Sequence, residues 1–345
     1  MSGSEAVIDR LRRIAAATMP PSPDQLRSDI EGACSVLAAE DPQMRPRDTR
    51  GLPGGLVRLR PELPTVVMPD IHARVDLMTT VLSSSFPDHG IDVPLAAALA
   101  ADRAQLVMLG DYVHGEARVR DRWSRAFNEF TGSYRKHKAM DQEMCESLAI
   151  LQMVATLKCA YPDRVHGLKG NHENITNEEG AGNHSFGKFA YEGAMVAAYM
   201  QQFYGTAATD AVYRFEKSLP LLAVGPRYLV THAEPARCFA TPELIEYRDR
   251  PDVVEGLTWT DNDAAETGSV AAMLTHYLPH CSGDEAVHLG GHRPVAGRYA
   301  LRAAGRYVQF HNPNRFIVAL PPTNRQFDPE RDVVELSYQQ GVFDG

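Results

Sequence analysis

Six residues in five short blocks of the sequence have side chains that bind metal ions, and each block follows an apolar run. They are Asp70, His72, Asp111, Asn171, His232 and His292. Carboxylate, amide and imidazole groups suit hard to borderline divalent ions such as Mn²⁺, Fe and Zn²⁺. The absence of thiolate from this set argues against a structural zinc site. The pattern therefore predicts divalent metal chemistry.

Asp111 is the candidate for a ligand that two ions share. Two ions about 3.5–4 Å apart in one site need an anionic ligand in common. Asp111 follows Gly110, and glycine allows the chain to turn tightly at the end of the apolar run 105–110. Each block alone is weak evidence, because Asp-x-His and Gly-Asp pairs are commonplace. Their succession after five apolar runs predicts a single centre for two ions.

The blocks resemble the motifs of the phosphoprotein phosphatase branch of the calcineurin-like metallophosphoesterases. The similarity extends over residues 65–320, and both the order and the spacing of the blocks agree with that family. The matching segments are PDIH (69–72), GDYVHG (110–115), GNHE (170–173), THAEP (231–235), LTWTDND (257–263), GGH (290–292) and HNPN (311–314).

This resemblance implies two bound ions, with Mn²⁺ expected first and Fe or Zn²⁺ as alternatives. It implies two ligand sets that share one residue: Asp70, His72 and Asp111 for the first ion, and Asp111, Asn171, His232 and His292 for the second. It further implies that a water bridging the ions attacks the phosphorus of a phosphomonoester in line. His172 would protonate the leaving oxygen.

The chain departs from the family pattern around these ligands. Pro69 and Ala73 take glycine positions of the first block. His114 and Gly115 stand where the family has an Asp that orients the catalytic histidine and an Arg that binds phosphate. His114 is therefore a second candidate catalytic residue, although an imidazole cannot raise the basicity of His172 as a carboxylate would.

A second phosphate-binding arginine of the family also has no counterpart, and phosphate needs cationic donors. Arg118 and Arg315 rank first as replacements, because Arg118 follows the GDYVHG block and Arg315 falls where the family has a tyrosine facing the metals. The candidates for substrate binding are Arg118, Arg315 and Arg293, followed by Arg122 and Arg74. The other histidines, His311 among them, are expected to be structural or exposed, with His184 as the first exception to consider.

The elements that must position these residues are short strands separated by helices, with more strands late in the chain. This order predicts an α/β fold, a metallophosphoesterase-type β-sandwich flanked by helices in four layers, α/β/β/α. Residues 1–60 are expected to form a helical N-terminal extension and linker, and residues 61–345 the catalytic domain. Ser22 and Pro23 predict the start of a helix in that extension. An aromatic stripe after the second block, Trp123, Phe127 and Phe130, is expected to pack in the core.

Composition narrows the classes of partner. The 345 residues carry a net charge of −9, which argues against a nucleic acid as partner. No apolar run approaches the roughly 20 residues of a membrane helix, so no membrane association is expected. Five cysteines without a CxxC pair favour free thiols and a cytoplasmic protein.

Three functions follow from these observations. The first is a metal-dependent phosphatase for phosphomonoesters, with phosphoserine or phosphothreonine proteins as one substrate class. The second is a small-molecule phosphoesterase, such as a nucleotidase or dinucleoside-polyphosphate hydrolase, which the missing Asp-Arg pair favours. The third is a metal-binding interaction protein without catalysis, against which the complete ligand set argues.

Overall fold

Two β-sheets form the centre of the computed structural model, which describes residues 3–281 and 285–338. Three neighbouring parallel strands of the smaller sheet run in chain order to one edge, and an antiparallel pair extends the sheet to the other edge. In spatial order this sheet contains β11 (Val333–Leu336), β10 (Phe316–Ala319), β2 (Thr65–Met68), β3 (Gln105–Met108) and β4 (Val165–Gly167).

The larger sheet also has parallel strands at its centre, β6 with β7 and β7 with β9. In spatial order it contains β1 (Leu56–Arg58), β5 (Leu222–Val224), β6 (Tyr228–Thr231), β7 (Val287–Gly290), β9 (Tyr307–Gln309) and β8 (Ala300–Arg302). The antiparallel β8–β9 pair is a hairpin.

The two sheets pack face to face, because alternate residues of each strand point into the space between them. Val67 and Val107 of the smaller sheet meet Val230 and Leu289 of the larger sheet in one buried apolar cluster. Their sequence neighbours, such as Met68, point outward against helices. The predicted four-layer α/β/β/α sandwich is confirmed.

Helices cover both outer faces. The smaller sheet is covered by α1 (Gly3–Ala15), α2 (Pro23–Ala38), α3 (Val75–Ser83), α4 (Leu95–Ala100), α5 (Arg120–Thr131), α6 (Lys138–Ala160), α7 (Glu192–Tyr199) and α8 (Gly205–Ser218). The larger sheet is covered by α9 (Thr241–Ile245), α10 (Pro251–Thr258) and α11 (Ser269–Tyr277). A short helix, α12 (Pro329–Asp332), precedes β11. Within the described ranges, no helix is both long enough and apolar enough to cross a bilayer.

The N-terminal helices pack on the same helical layer. Helix α2 begins at Pro23, and the backbone N–H of Gln25 donates to Ser22 Oγ at 3.3 Å, as its capping sequence predicts. The buried stripe of α2 contacts α6 and α8. The segment expected to be a linker contains β1, which pairs in parallel with β5. The division of the chain at residue 60 stays a prediction. The aromatic stripe of α5 lies as expected, with Trp123 fully buried and Phe127 and Phe130 packed partly against the core.

Candidate metal centre

The six predicted ligands converge because the strands that precede them end at the same edge of the sandwich. Asp70 and His72 follow β2, Asp111 follows β3 and Asn171 follows β4, and these three strands are parallel neighbours. The carboxyl ends of parallel strands meet at one edge, where loops collect ligands. His232 and His292 follow β6 and β7 of the facing sheet and complete the group.

Left-handed backbone at several of these positions turns the side chains inward. His72, Asp111 and His292 have φ angles of 48°, 51° and 65°, conformations that cost energy in residues with a Cβ. Gly110 has a φ of 103°, and a Cβ there would lie 2.3 Å from the backbone nitrogen of Gly170. Glycine at position 110 is therefore required for the close approach of the two ligand loops.

Asp111 lies between the two halves of the centre. Its Oδ2 is 3.4 Å from His72 Nε2 on one side and 3.6 Å from His232 Nε2 on the other. Donors bound to one ion at about 2.0–2.2 Å lie about 3–4 Å apart, so both distances fit shared coordination. A single oxygen within reach of both ligand sets is the arrangement expected of a bridging carboxylate.

In the second ligand set, the amide oxygen of Asn171 faces one ring nitrogen of each of the two histidines. Asn171 Oδ1 lies 2.9 Å from His232 Nε2 and 3.0 Å from His292 Nδ1. His232 Nδ1 donates to the carbonyl oxygen of Leu109 at 3.1 Å, and burial lowers the pKa of His232 to about 3. The imidazole is therefore neutral, with the lone pair of Nε2 directed at an amide oxygen. A cation between these two acceptors would satisfy both.

Burial makes the charged form of the two carboxylates in the centre unfavourable unless a cation lies beside them. Burial raises the pKa of Asp70, and the charge of Asp111 raises it further; burial also raises the pKa of Asp111. Among the described residues, the ion-pair contacts of both carboxylates are with histidines. Asp70 Oδ1 is buried without a hydrogen-bond partner. Oxygen and imidazole donors in this number fit two divalent ions.

Glu173, the last residue of the GNHE block, holds the ligand loops together. Its carboxylate accepts hydrogen bonds from the backbone N–H groups of Asp111 at 2.8 Å, Tyr112 at 2.8 Å and Gly170 at 2.6 Å. Burial and the nearby charge of Asp111 raise the pKa of Glu173 to about 7. This side chain connects the loops after β3 and β4 and does not face the ligand atoms, so its role is structural support.

His172 lies beside the centre and is paired with His114. Their Nδ1 atoms are 3.0 Å apart, so one nitrogen donates and the other accepts. Burial lowers the pKa of both rings, that of His114 to about 3. Phe186 covers the pair, with its ring 3.8 Å from His172 and stacked on His114 at 5.2 Å between ring centroids. His172 Nε2 points to Asp111 Oδ2 at 3.9 Å.

The position of the family's missing arginine is filled by other groups. A Cβ on Gly115 would lie 2.6 Å from Val119 Cγ2, so no larger residue fits without movement. The backbone N–H of Gly115 donates to Glu143 at 2.7 Å, and Trp123 Nε1 donates to the Gly115 carbonyl at 2.7 Å. Arg122, a candidate for phosphate binding, is buried and donates to Glu143 instead.

A cavity opens over the metal centre. The cationic side chains that line it are not those of Arg118 and Arg315, the two arginines ranked first as phosphate-binding candidates. Among the described residues, the lysine and arginine side chains that line it are Lys188 and Arg293. Arg293 was a candidate and also pairs with Asp261. Arg118 does not line the cavity; it donates to the Ala73 carbonyl at 3.0 Å and pairs with Glu146 at 2.9 Å. Nor does Arg315, which pairs with Glu335 at 3.0 Å.

The last two candidates have structural contacts. Arg74 donates to the carbonyl oxygens of Asn312 and Arg315, at 3.1 and 2.9 Å, and lies over the Phe316 ring. His184 lies outside the cavity lining, where it pairs with Glu179 at 3.0 Å and contacts Trp259 edge-on.

Two residues near the ligands were missed in the sequence. Glu116 Oε1 lies 3.8 Å from His72 Nε2. His311 Nδ1 lies 3.9 Å from Asp70 Oδ2. Glu116 is adjacent to the GDYVHG block, and His311 follows β9 at the same edge of the sandwich. The rule that located the other ligands, a metal-binding residue directly after an apolar strand, applies to His311 as well.

Comparison with known proteins identifies the family and the fold of the chain. A family model for calcineurin-like phosphoesterases matches residues 63–319. A protein serine/threonine phosphatase from Saccharomyces cerevisiae, with similarity to human phosphatase PP5, superimposes with a TM-score of 0.54 at 14% identity, over 93% of this chain and 91% of that chain. A cold-active protein-tyrosine phosphatase of a psychrophilic Shewanella species gives a TM-score of 0.42 at 14% identity, over 81% and 83%. No curated protein sequence matches the chain.

The yeast structure shows the same fold, and the family model covers most of the chain, including all six ligand positions. Buried groups of Asp and His that can hold a metal ion lie within the matched range, among them Asp70 with Asp111 and His232. The chain belongs to the calcineurin-like phosphoesterases, which are metal-dependent phosphoester hydrolases.

Proposed function

We propose that this protein hydrolyses phosphomonoesters at a centre of two divalent ions. The observation that carries the proposal is the position of Asp111 Oδ2, which lies within coordinating distance of both ligand sets. Two ions held by these sets would stabilise both the attacking and the leaving oxygen of an in-line displacement at phosphorus. When bound, they polarise the phosphoryl group and activate a water for attack.

The residues of the chain hold the ions and transfer the proton. The first set is Asp70, His72 and Asp111, and the second is Asp111, Asn171, His232 and His292. His172 donates a proton from Nε2 to the leaving oxygen, since this nitrogen faces the centre while Nδ1 contacts His114. A neutral imidazole partner stabilises the protonated form of His172 less than a carboxylate would. Because burial also lowers the pKa of His172, its protonated form is a stronger acid but a less populated one than in a site with the usual Asp.

Phosphate oxygens that do not contact the ions need other donors. Lys188 and Arg293 line the cavity and supply positive charge there. The Lys188 side chain is 48% exposed, and its Nζ lies 3.7 Å from Oε1 of the buried Glu116. This distance is too long for a hydrogen bond, so Lys188 can turn to a substrate. These two cations take the place of the family's two arginines in this proposal.

Two substrate classes are compatible with this centre. A phosphoserine or phosphothreonine protein is the first, in line with the motif resemblance. A nucleotide or other small phosphoester is the second, and the filled space at Gly115 favours it because the Asp-Arg pair that typifies protein phosphatases cannot form. Phosphopeptides and nucleotides assayed side by side separate the two classes, since only the preferred class retains a high kcat/KM.

Hydrolysis of p-nitrophenyl phosphate tests the reaction itself. Activity should require Mn²⁺, Fe²⁺ or Zn²⁺, disappear with a chelator, and fall in Asp111→Asn. His172→Ala should lower kcat by about 10²–10⁴-fold, the range for loss of a general acid. His166→Gln is the matched control, because His166 is a buried histidine on β4 that contacts a backbone carbonyl. Metal-independent activity, or equal activity in all variants, would contradict the proposal.

A further inference from the structure

His311 is a buried histidine with one ring nitrogen paired and the other free. Its Nε2 lies 3.1 Å from Glu116 Oε2, and the ring is fully buried. Its Nδ1 is also buried and has no hydrogen-bond partner. A buried polar atom without a partner destabilises a protein, so the direction in which this atom points is informative. Nδ1 points to Asp70 Oδ2 at 3.9 Å.

The free nitrogen of His311 belongs to a group of donors that can hold one ion. Asp70, His72 and His311 are all buried, and one ligand atom from each lies within 4.8 Å of the others. Two donors bound at about 2.1 Å to one ion are about 3.0 Å apart at a right angle and about 4.2 Å apart when opposite. The distance from His311 Nδ1 to Asp70 Oδ2 lies inside this range.

Glu116 determines which nitrogen of His311 is free. A carboxylate can only accept hydrogen bonds, so His311 Nε2–H donates to Glu116 Oε2. The other ring nitrogen of His311, Nδ1, then carries the free lone pair. His72 is oriented in the same way, because its Nδ1 donates to the His114 carbonyl at 3.0 Å and its Nε2 faces Asp111. Histidines that bind metal usually have the other ring N–H fixed by such an acceptor.

We propose that His311 binds the first ion through Nδ1, as a ligand additional to Asp70, His72 and Asp111, and that Glu116 positions its ring. This inference rests on the two-ion centre of the proposed function. It gives the first ion two imidazole nitrogens and two carboxylate oxygens. Imidazole favours Fe and Zn²⁺, whereas carboxylate and water favour Mn²⁺, so the first position should prefer Fe or Zn²⁺.

Calorimetric titration of the metal-free protein with Zn²⁺ and with Mn²⁺ tests the ligand. Wild type should bind two ions. His311→Gln should still bind two, with the affinity of one position lowered at least about tenfold for Zn²⁺ and less for Mn²⁺. Glu116→Gln should weaken the same position, because a carboxamide holds the ring less firmly. His166→Gln, a buried histidine away from the ligands, should match wild type.

Failure of the inference and failure of the proposed function give different results. If wild type and His311→Gln bind two ions with equal affinity, His311 is not a ligand, and the two-ion centre stands. If wild type binds fewer than two ions, the centre itself is wrong. A crystal structure of the Zn²⁺-loaded wild type decides the matter without any variant. His311 Nδ1 should lie about 2.1 Å from the first ion, and a distance beyond about 3 Å would overturn the assignment.

Discussion

Replacing Glu173 by Gln should destabilise the protein through the loops that carry the ligands. The carboxylate accepts three backbone N–H groups, two on Oε2 and one on Oε1. A Gln oxygen can keep the two bonds from Asp111 and Gly170. The amide nitrogen then faces the N–H of Tyr112, so one charge-assisted bond is lost and two donors are left opposed.

The size of the effect follows from these bonds. A hydrogen bond to a charged group contributes about 1.5–3 kcal/mol, and a buried N–H without a partner costs about 1–3 kcal/mol. Because the two contributions overlap, the lost bonds account for about 2–4 kcal/mol. Gln also removes a buried charge, whose cost is apparent in the raised pKa of Glu173, so we expect a net loss of about 1–2 kcal/mol. Unfolding entropy of about 2.1 cal/mol/K per residue gives about 0.7 kcal/mol/K for 345 residues, so Tm should fall by about 1.5–3 °C.

Calorimetry of the metal-free protein at about pH 8, above the pKa of Glu173, measures this loss. Glu266→Gln is the matched control, because Glu266 is exposed and such a change usually alters stability by less than about 0.5 kcal/mol. The metal affinity of Glu173→Gln should also fall by about 10–100-fold, since the ligand loops lose their connection. A Tm within about 1 °C of the Glu266→Gln control would refute the reasoning.

Three further effects are expected. His114→Asp should retain or raise activity on p-nitrophenyl phosphate, because a carboxylate stabilises protonated His172; a loss as large as that of His172→Ala would show a direct catalytic role for His114. Removal of metal by a chelator should lower Tm, by about 4 °C for each bound ion that had been at 100 times its Kd, and a metal-independent Tm would contradict the two-ion centre. Burial alone would raise the pKa of Asp332, but hydrogen bonds from His89 and Arg325 lower it to about 2. The stability from these contacts is therefore complete above about pH 4 and lost as the pH falls to about 2. In urea unfolding, the free energy of unfolding of Asp332→Asn should lie below that of wild type at neutral pH, and the difference should disappear as the pH falls from about 4 to about 2.

Sequence predicted the elements whose signals are local. Helix α2 has its cap and its buried stripe within one short segment, and the strands of the ligand blocks are apolar runs that end at a metal-binding residue. The edge strands β1 and β11 were not predicted. They are three and four residues long, and their pairing depends on neighbours distant in the chain, so their sequences contain too little pattern.

Contacts between distant segments of the chain also explain which parts of the site were not predicted from the sequence. The six proposed ligands stand out in the sequence because each of the five blocks that contain them follows a strand. Glu116 and His311 are 195 residues apart, and nothing in either segment indicates that they meet. Arg118 was ranked by its nearness to a ligand block, but the backbone carbonyls of the neighbouring loop and Glu146 take its guanidinium. Competition for an arginine among backbone and carboxylate acceptors is decided by tertiary structure.

Around the proposed metal ligands, other side chains fill the space of the family's missing arginine and supply positive charge. Gly115 lacks a side chain where the family has an arginine, and Val119 and the Arg122–Glu143 pair occupy the adjacent space. Positive charge enters the cavity from other segments, through Lys188 and Arg293. A site that had only decayed would leave the space empty and the phosphate oxygens without donors. Packing in place of the first arginine, together with cations supplied elsewhere, therefore argues against a site that has only lost its phosphate-binding groups.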